Sequence, residues 1–134
     1  PLSVIFINNA IYGMTGGQMA PTTLSGQKAT TAPTGRKAEI AGMPLKMSEM
    51  IAQVPGAIYV ERASLHHPKH IRRAKKAILR GFTYQLQNRG FSMVELLSTC
   101  PTGWGLEPVA ALDFPASAPQ NIYHGVSDPL SMRQ

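Results

Sequence analysis

Ser3-Val4-Ile5-Phe6-Ile7 runs without a break into Asn8-Asn9-Ala10-Ile11-Tyr12-Gly13-Met14-Thr15-Gly16-Gly17-Gln18. A short, continuous run of β-branched and aromatic residues reads as a strand buried on both faces, the kind found in parallel sheets. Its exit is polar and glycine-rich. Asparagine offers amide oxygens, and glycine lets a backbone come close to a ligand. In doubly wound sheets, ligands bind beyond the carboxyl ends of the strands. Asn9 through its side-chain oxygen and Ile11 through its carbonyl would suit Mg²⁺, which demands octahedral oxygen ligation and often shares its shell with a phosphate. The backbone N–H groups of Gly13, Met14 and Thr15, with the Thr15 hydroxyl, would suit phosphate oxygens. The same residues also fit an ordinary Asn/Gly turn, and spacing alone favours that turn.

From Tyr12 to Met43 the chain is rich in Gly, Thr, Ser, Ala and Pro and has little hydrophobic period. A loop this long inside a compact domain is usually functional or disordered. Pro44 to Val54 reads as a short amphipathic helix, with Met47, Met50, Ile51 and Val54 on one face and Pro44 in its first turn. Ala57 to Ala63 reads as a second strand. Pro68 to Asn88 is the longest periodic segment, with Ile71, Ala74, Ile78, Phe82 and Leu86 at helical spacing and Gly90 after its end. Ser92 to Leu97 reads as a third strand, and Pro108 to Leu112 as a short helix. Strands alternating with helices imply an α/β fold with a parallel sheet. Residues 1–112 are expected to form one domain and 113–134 an extended tail. Three buried strands need partners at both edges, so the sheet is expected to be completed by other polypeptide. The start at Pro rather than Met agrees with a piece of something larger.

Composition narrows the classes. The 134 residues suffice for one domain with a modest core. Only 15% are charged, which excludes a charge-rich disordered tail. No apolar run approaches the ~20 residues of a membrane span. One cysteine excludes an internal disulfide, and a reducing cytoplasm is the simplest home. The net charge of +6 is concentrated on Lys69, Arg72, Arg73, Lys75, Lys76 and Arg80. These read as a solvated helix face opposite the Ile71, Ala74, Ile78, Phe82 stripe. A non-catalytic basic α/β module that binds nucleic acid is the competing class.

Single residues add little by spacing. Cys100 alone reads as a small buried thiol at a strand end. His66, His67 and His70, with Pro68 between, have poor geometry for one zinc ion and read as loop and helix-start residues. Trp104 reads as a packing residue. Glu39, Glu49, Glu61 and Glu95 read as loop, helix and strand positions without a catalytic role.

The wording of the sequence carries more. NNAIYGMTGGQMAPTTLSGQKATTAPTGR, AIYVERAS, HHPKHIRRAKKAILRGF, GFSMVELLSTCPTGWGL and EPVAAL follow one another from Asn8 to Leu112. Together they resemble the thiamine-diphosphate-binding β subunit of 2-oxoacid:ferredoxin oxidoreductases, most nearly the 2-oxoglutarate and branched-chain members. The resemblance implies a partial doubly wound parallel sheet of the thiamine-diphosphate-binding fold, lacking its N-terminal half. It implies thiamine diphosphate and Mg²⁺ as cofactors, with Asn9 and the Ile11 carbonyl as metal ligands and Tyr12, Gly13, Met14 and Thr15 beside the diphosphate. A GDG segment carrying the metal-binding Asp would lie upstream of these residues. Cys100, in STCP, matches the last ligand of a [4Fe–4S] cluster whose other cysteines lie near the family's N-terminus. The implied reaction is oxidative decarboxylation of a 2-oxoacid (2-oxoglutarate foremost) with coenzyme A, giving acyl-CoA, CO₂ and reduced ferredoxin. A partner α subunit would supply the glutamate that activates the thiamine ring and most of the substrate pocket. Pyruvate or indolepyruvate oxidoreductases are the alternative branches.

Overall fold

The computed structural model describes residues 1–117. Strand β1 (Ser3–Asn8), strand β2 (Ala57–Ser64) and strand β3 (Phe91–Leu97) form one sheet in the order β1-β3-β2. Both pairings are parallel, and Asn8, Ser64 and Leu97 share one register at the carboxyl edge. The α/β fold expected from the sequence is therefore the one observed.

Period-2 alternation divides the sheet into two faces. Helix α3 (Pro68–Leu86) covers one face, where Tyr59, Ala63, Val94 and Leu96 are buried against Ala74 and Ala77. The opposite face carries Val60 and Met93, with Val4, Phe6 and Phe91 beside them. Helix α1 (Ala38–Ala41) lies within the long connection, and helix α2 (Met47–Ile51) follows it to cover this second face through Met47 and Ile51. Helix α4 (Pro101–Trp104) and helix α5 (Pro108–Ser117) complete the described residues.

Several expectations are corrected. The buried side of α3 is Ala74, Ala77 and Gly81, with Ile78 partly buried against the same cluster, so only Ala74 and Ile78 of the expected stripe pack on the sheet. Ile71, Phe82 and Leu86 of the expected stripe are exposed, and Leu79 with them. Small residues allow the helix to close on the sheet. Gly81 accepts hydrogen bonds at its carbonyl from the hydroxyls of Ser3 and Ser92, at 3.1 and 3.2 Å. Helix α2 is shorter than 44–54: Lys46 stands at its N-cap position without a side-chain cap, Pro44 lies outside it, and Met50 and Val54 are exposed. Helix α5 continues to Ser117, so residues 113–117 are helical rather than extended. The remainder of the expected tail lies outside the described residues. Strand β1 lies at the sheet edge with Ile7 exposed, less buried than its composition implied.

Candidate functional site

The carboxyl edge of the sheet gathers the loops that follow β1, β3 and β2, and Asn8 anchors the first. Its side-chain oxygen accepts the Ala10 N–H at 3.0 Å and the Thr22 hydroxyl at 2.9 Å. Its amide nitrogen donates to Glu95 at 2.7 Å. This Asx turn carries Ala10 into a left-handed conformation, φ 58°, which non-glycine residues adopt only when their surroundings hold them there. The Asn9 side-chain oxygen then accepts the Ile11 N–H at 3.2 Å and keeps a second lone pair.

The three successive carbonyls of this turn differ in their partners. That of Asn9 accepts the Trp104 indole N–H at 2.9 Å, and that of Ala10 accepts the Thr23 hydroxyl at 2.6 Å. The Ile11 carbonyl accepts no hydrogen bond from the described residues. Among the described residues the N–H groups of Gly13, Met14 and Thr15 likewise donate to nothing. The loop is nonetheless closed on itself by Tyr12 N–H to Gln18 O at 3.0 Å and Gly17 N–H to Tyr12 O at 2.9 Å. The Thr15 hydroxyl donates to the Gln18 side chain at 2.7 Å. An oxygen donor pair followed by three open N–H groups has the donor set that a cation and the anion bound to it require. The residues present fit Mg²⁺ with a diphosphate. Beside them, Ile7, Asn9, Ile11, Tyr12, Pro21 and Met47 border an open cavity of about 260 Å³.

The second loop holds Cys100, which is partly exposed. A Cβ built on Gly103 would lie 2.8 Å from its sulfur, and one on Gly13 would lie 3.0 Å away. The thiol therefore packs directly on the glycine loop that follows β1. Among the described residues no three His, Cys, Asp or Glu side chains are grouped to hold a metal. One thiolate does not make an iron–sulfur site, which takes four, so the described residues do not hold a cluster by themselves. Trp104 is more than the packing residue expected, because its indole ties α4 to the turn after β1.

The third loop holds the histidines. His67 caps α3, its ring nitrogen accepting the Lys69 N–H at 3.2 Å. His66 bonds Ser64 through its ring and stacks on His70 with centroids 4.7 Å apart. Burial, then the neighbouring His66, His67, Lys69 and Arg73 charges, holds His70 below its ordinary range. Of the basic helix residues, Arg73 pairs with Glu61 at 3.0 Å and Arg80 lies over the Tyr59 ring. Burial first, and then the hydrogen bond to Glu61, raises the Tyr59 hydroxyl.

Two buried arginines support the edge, and sequence reasoning assigned neither a role. Arg62 donates to Glu95 at 2.8 Å and to Glu49 at 2.8 and 2.6 Å. Glu95 also accepts from Asn8 and Ser48. A charged pair inside strands that otherwise read as core was the available signal, because such residues are buried only when paired. Arg36 donates to six backbone carbonyls, those of Ala20, Pro21, Thr23, Ala41, Gly42 and Met43. Nothing local in the sequence points to it.

The site and sheet define a class, an α/β domain whose strand exits form a cation-and-oxyanion edge, and comparison with known proteins gives that class its family. The chain belongs to the thiamine pyrophosphate enzymes: residues 1–96 match their C-terminal TPP binding domain. It is 52% identical over 101 residues to the ketoisovalerate oxidoreductase subunit VorA of Methanothermobacter thermautotrophicus, covering 75% of this chain and 21% of that one. It is 44% identical over 104 residues to the 2-oxoglutarate synthase subunit KorB of Methanothermobacter marburgensis, covering 78% and 32%. It is 31% identical over 110 residues to the pyruvate synthase subunit PorB of Methanocaldococcus jannaschii, covering 81% and 34%. The chain thus spans between about a fifth and a third of the length of these relatives. No solved structure matches it. The family named from the motifs is the one matched, but the relatives do not single out 2-oxoglutarate.

Proposed function

We propose that this chain forms the diphosphate-and-metal half of the thiamine diphosphate site in a 2-oxoacid:ferredoxin oxidoreductase. One observation carries the reading: an Ile11 carbonyl beside Asn9, followed by three N–H groups at Gly13, Met14 and Thr15, all without a partner among the described residues, at the carboxyl edge of a parallel sheet. Asn9 and Ile11 contribute two oxygens to Mg²⁺, and the loop from Tyr12 to Thr15 receives the diphosphate. Thiamine diphosphate, when bound, supplies the chemistry that decarboxylates a 2-oxoacid; the protein binds and orients it. Cys100 contributes one thiolate to a [4Fe–4S] cluster completed by cysteines outside this chain. Coenzyme A and ferredoxin are the further reactants, and an α subunit supplies the remaining pocket. No described helix is long and apolar enough to cross a membrane, and we place the enzyme in the cytoplasm. The substrate is a 2-oxoacid, with ketoisovalerate and 2-oxoglutarate the two to compare first.

The test is made on the assembly purified without oxygen. Thiamine diphosphate is expected to bind only with a divalent cation, and Asn9→Ala to weaken that binding about a hundredfold, at the upper end of what metal-site changes cost. Iron and acid-labile sulfide are expected in the wild type and lost in Cys100→Ala. Metal-independent binding that Asn9→Ala leaves unchanged would remove the thiamine site, and an iron-free wild-type assembly would remove the cluster.

A further inference from the structure

Two side chains distant in sequence decide which carbonyl of the turn after β1 remains open. Trp104 donates its indole N–H to the Asn9 carbonyl at 2.9 Å, across 95 residues. Thr23, fully buried, donates its hydroxyl to the Ala10 carbonyl at 2.6 Å and accepts the Ala20 N–H at 2.8 Å. The Ile11 carbonyl, next in line, has no partner among the described residues. Each peptide oxygen is a hard donor of the kind Mg²⁺ takes. Without these two bonds the turn would offer three similar oxygens within three residues, and the left-handed Ala10 would lose a restraint on each side.

We propose that Trp104 and Thr23 are positioning residues: by occupying the Asn9 and Ala10 carbonyls they leave the Ile11 carbonyl alone to meet the cation, and they fix its direction. The inference rests on the thiamine diphosphate reading of the same turn. It gives the two residues a shared task although they come from different elements, Trp104 from the end of α4 and Thr23 from the long connection. The task suits a cation that is strict about geometry. Mg²⁺ requires near-ideal octahedral angles, whereas Ca²⁺ accepts six to eight oxygens in flexible arrangements. A turn whose carbonyls are individually assigned should favour the stricter ion, and a loosened turn should lose that preference. Gly103 supports the arrangement: its Cα leaves room for Ile11, where an added Cβ would lie 3.1 Å from the Ile11 side chain.

The experiment titrates thiamine diphosphate into the cofactor-stripped assembly with Mg²⁺ alone or with Ca²⁺ alone, and follows the unfolding midpoint of each variant alongside. Trp104→Phe keeps a ring and removes the donor. Thr23→Val keeps the shape and removes the hydroxyl, and Thr23→Ser restores it. Loss of either bond is expected to weaken binding with Mg²⁺ about tenfold, the effect of one hydrogen bond. Binding with Ca²⁺ is expected to change less than threefold, so that the preference for Mg²⁺ narrows. Thr23→Ser is expected to return both values to within about threefold of wild type. A merely structural role would move both metals alike and follow the unfolding midpoint. Unchanged Mg²⁺ preference in Trp104→Phe and Thr23→Val, in a wild type that binds the cofactor, overturns this inference alone. A wild type that binds thiamine diphosphate with neither metal overturns the site itself, and this inference with it.

Discussion

Arg36→Ala is expected to lower stability by on the order of 4 kcal/mol and to release the connection between Ala20 and Met43. Six backbone carbonyls converge on this one guanidinium, and none of its six bonds goes to a carboxylate. Hydrogen bonds to a charged donor contribute about 1.5 to 3 kcal/mol each, and more is lost when buried acceptors are left without partners. Water entering the opened loop would restore part of this, so the total stays well below the simple sum. Burial already pulls the Arg36 guanidinium below its ordinary range, so its position is maintained by geometry rather than by a counter-charge. Arg36→Lys is expected to recover little, since a lysine has three donors on a point charge instead of five in a rigid fork. Denaturant unfolding gives the stability change. Amide exchange locates it, with faster exchange at Gly26, Gln27, Ala29 and Ala32, whose N–H groups close the loop. Unaltered exchange across these residues would contradict the assignment of Arg36 as the hub. Because Thr22 and Thr23 belong to the same connection and hold the turn after β1, thiamine diphosphate binding should fall with loop order.

Arg62→Met is expected to cost on the order of 3 to 5 kcal/mol, the usual consequence of removing one partner of a buried ion pair. Methionine fills most of the volume, so the loss isolates charge from packing. Glu95 would keep its bonds from Asn8 and Ser48 but lose its counter-ion in a site with 1% exposure. Glu95→Gln in the same chain should return part of the loss, and this coupling is what a double-mutant cycle reads. The pH profile offers an independent check. Burial pushes the Glu49 carboxyl up, but the hydrogen bonds and charge of Arg62 outweigh it, and Glu49 titrates below the usual carboxylate range. The folded value lies below the unfolded one, so this contribution is complete at neutral pH and is lost as pH falls through the folded value. Arg62→Met should flatten that acid-side slope. A variant with wild-type stability and an unchanged slope would show that the network is dispensable.

The elements were legible where local chemistry decides them. A β-branched run marked β1, short apolar runs marked β2 and β3, and Pro68 marked the start of α3. The buried face of α3 was legible only in part, at Ala74 and Ile78, because apolar size was the signal available and closeness was what mattered. Ala74 fell within the hydrophobic period, but Ala77 and Gly81 are too small to stand out in it, yet only small side chains let the helix descend onto Ser3 and Ser92. The candidate site divided in the same way. Asn9, Ile11, Tyr12, Gly13, Met14, Thr15 and Cys100 came from the wording of two motifs, and the fold brings those motifs into contact through the Cys100 sulfur and Gly13. The roles of Thr23, Arg36 and Trp104 remained hidden, since their partners are backbone carbonyls 5 to 95 residues away. A backbone acceptor has no letter in the sequence.

The strand order β1-β3-β2 also sets a timetable. The unit from β2 through α3 to β3 is contiguous, and such local contacts form early. Strand β1, made before that unit, must pair with β3, and its turn must wait for Trp104, synthesised 95 residues after Asn9. At ribosomal speeds that interval is roughly 5 to 20 s. For most of it the apolar strand SVIFI lacks β3, its pairing partner among the described residues, so a strand made early finds its place late.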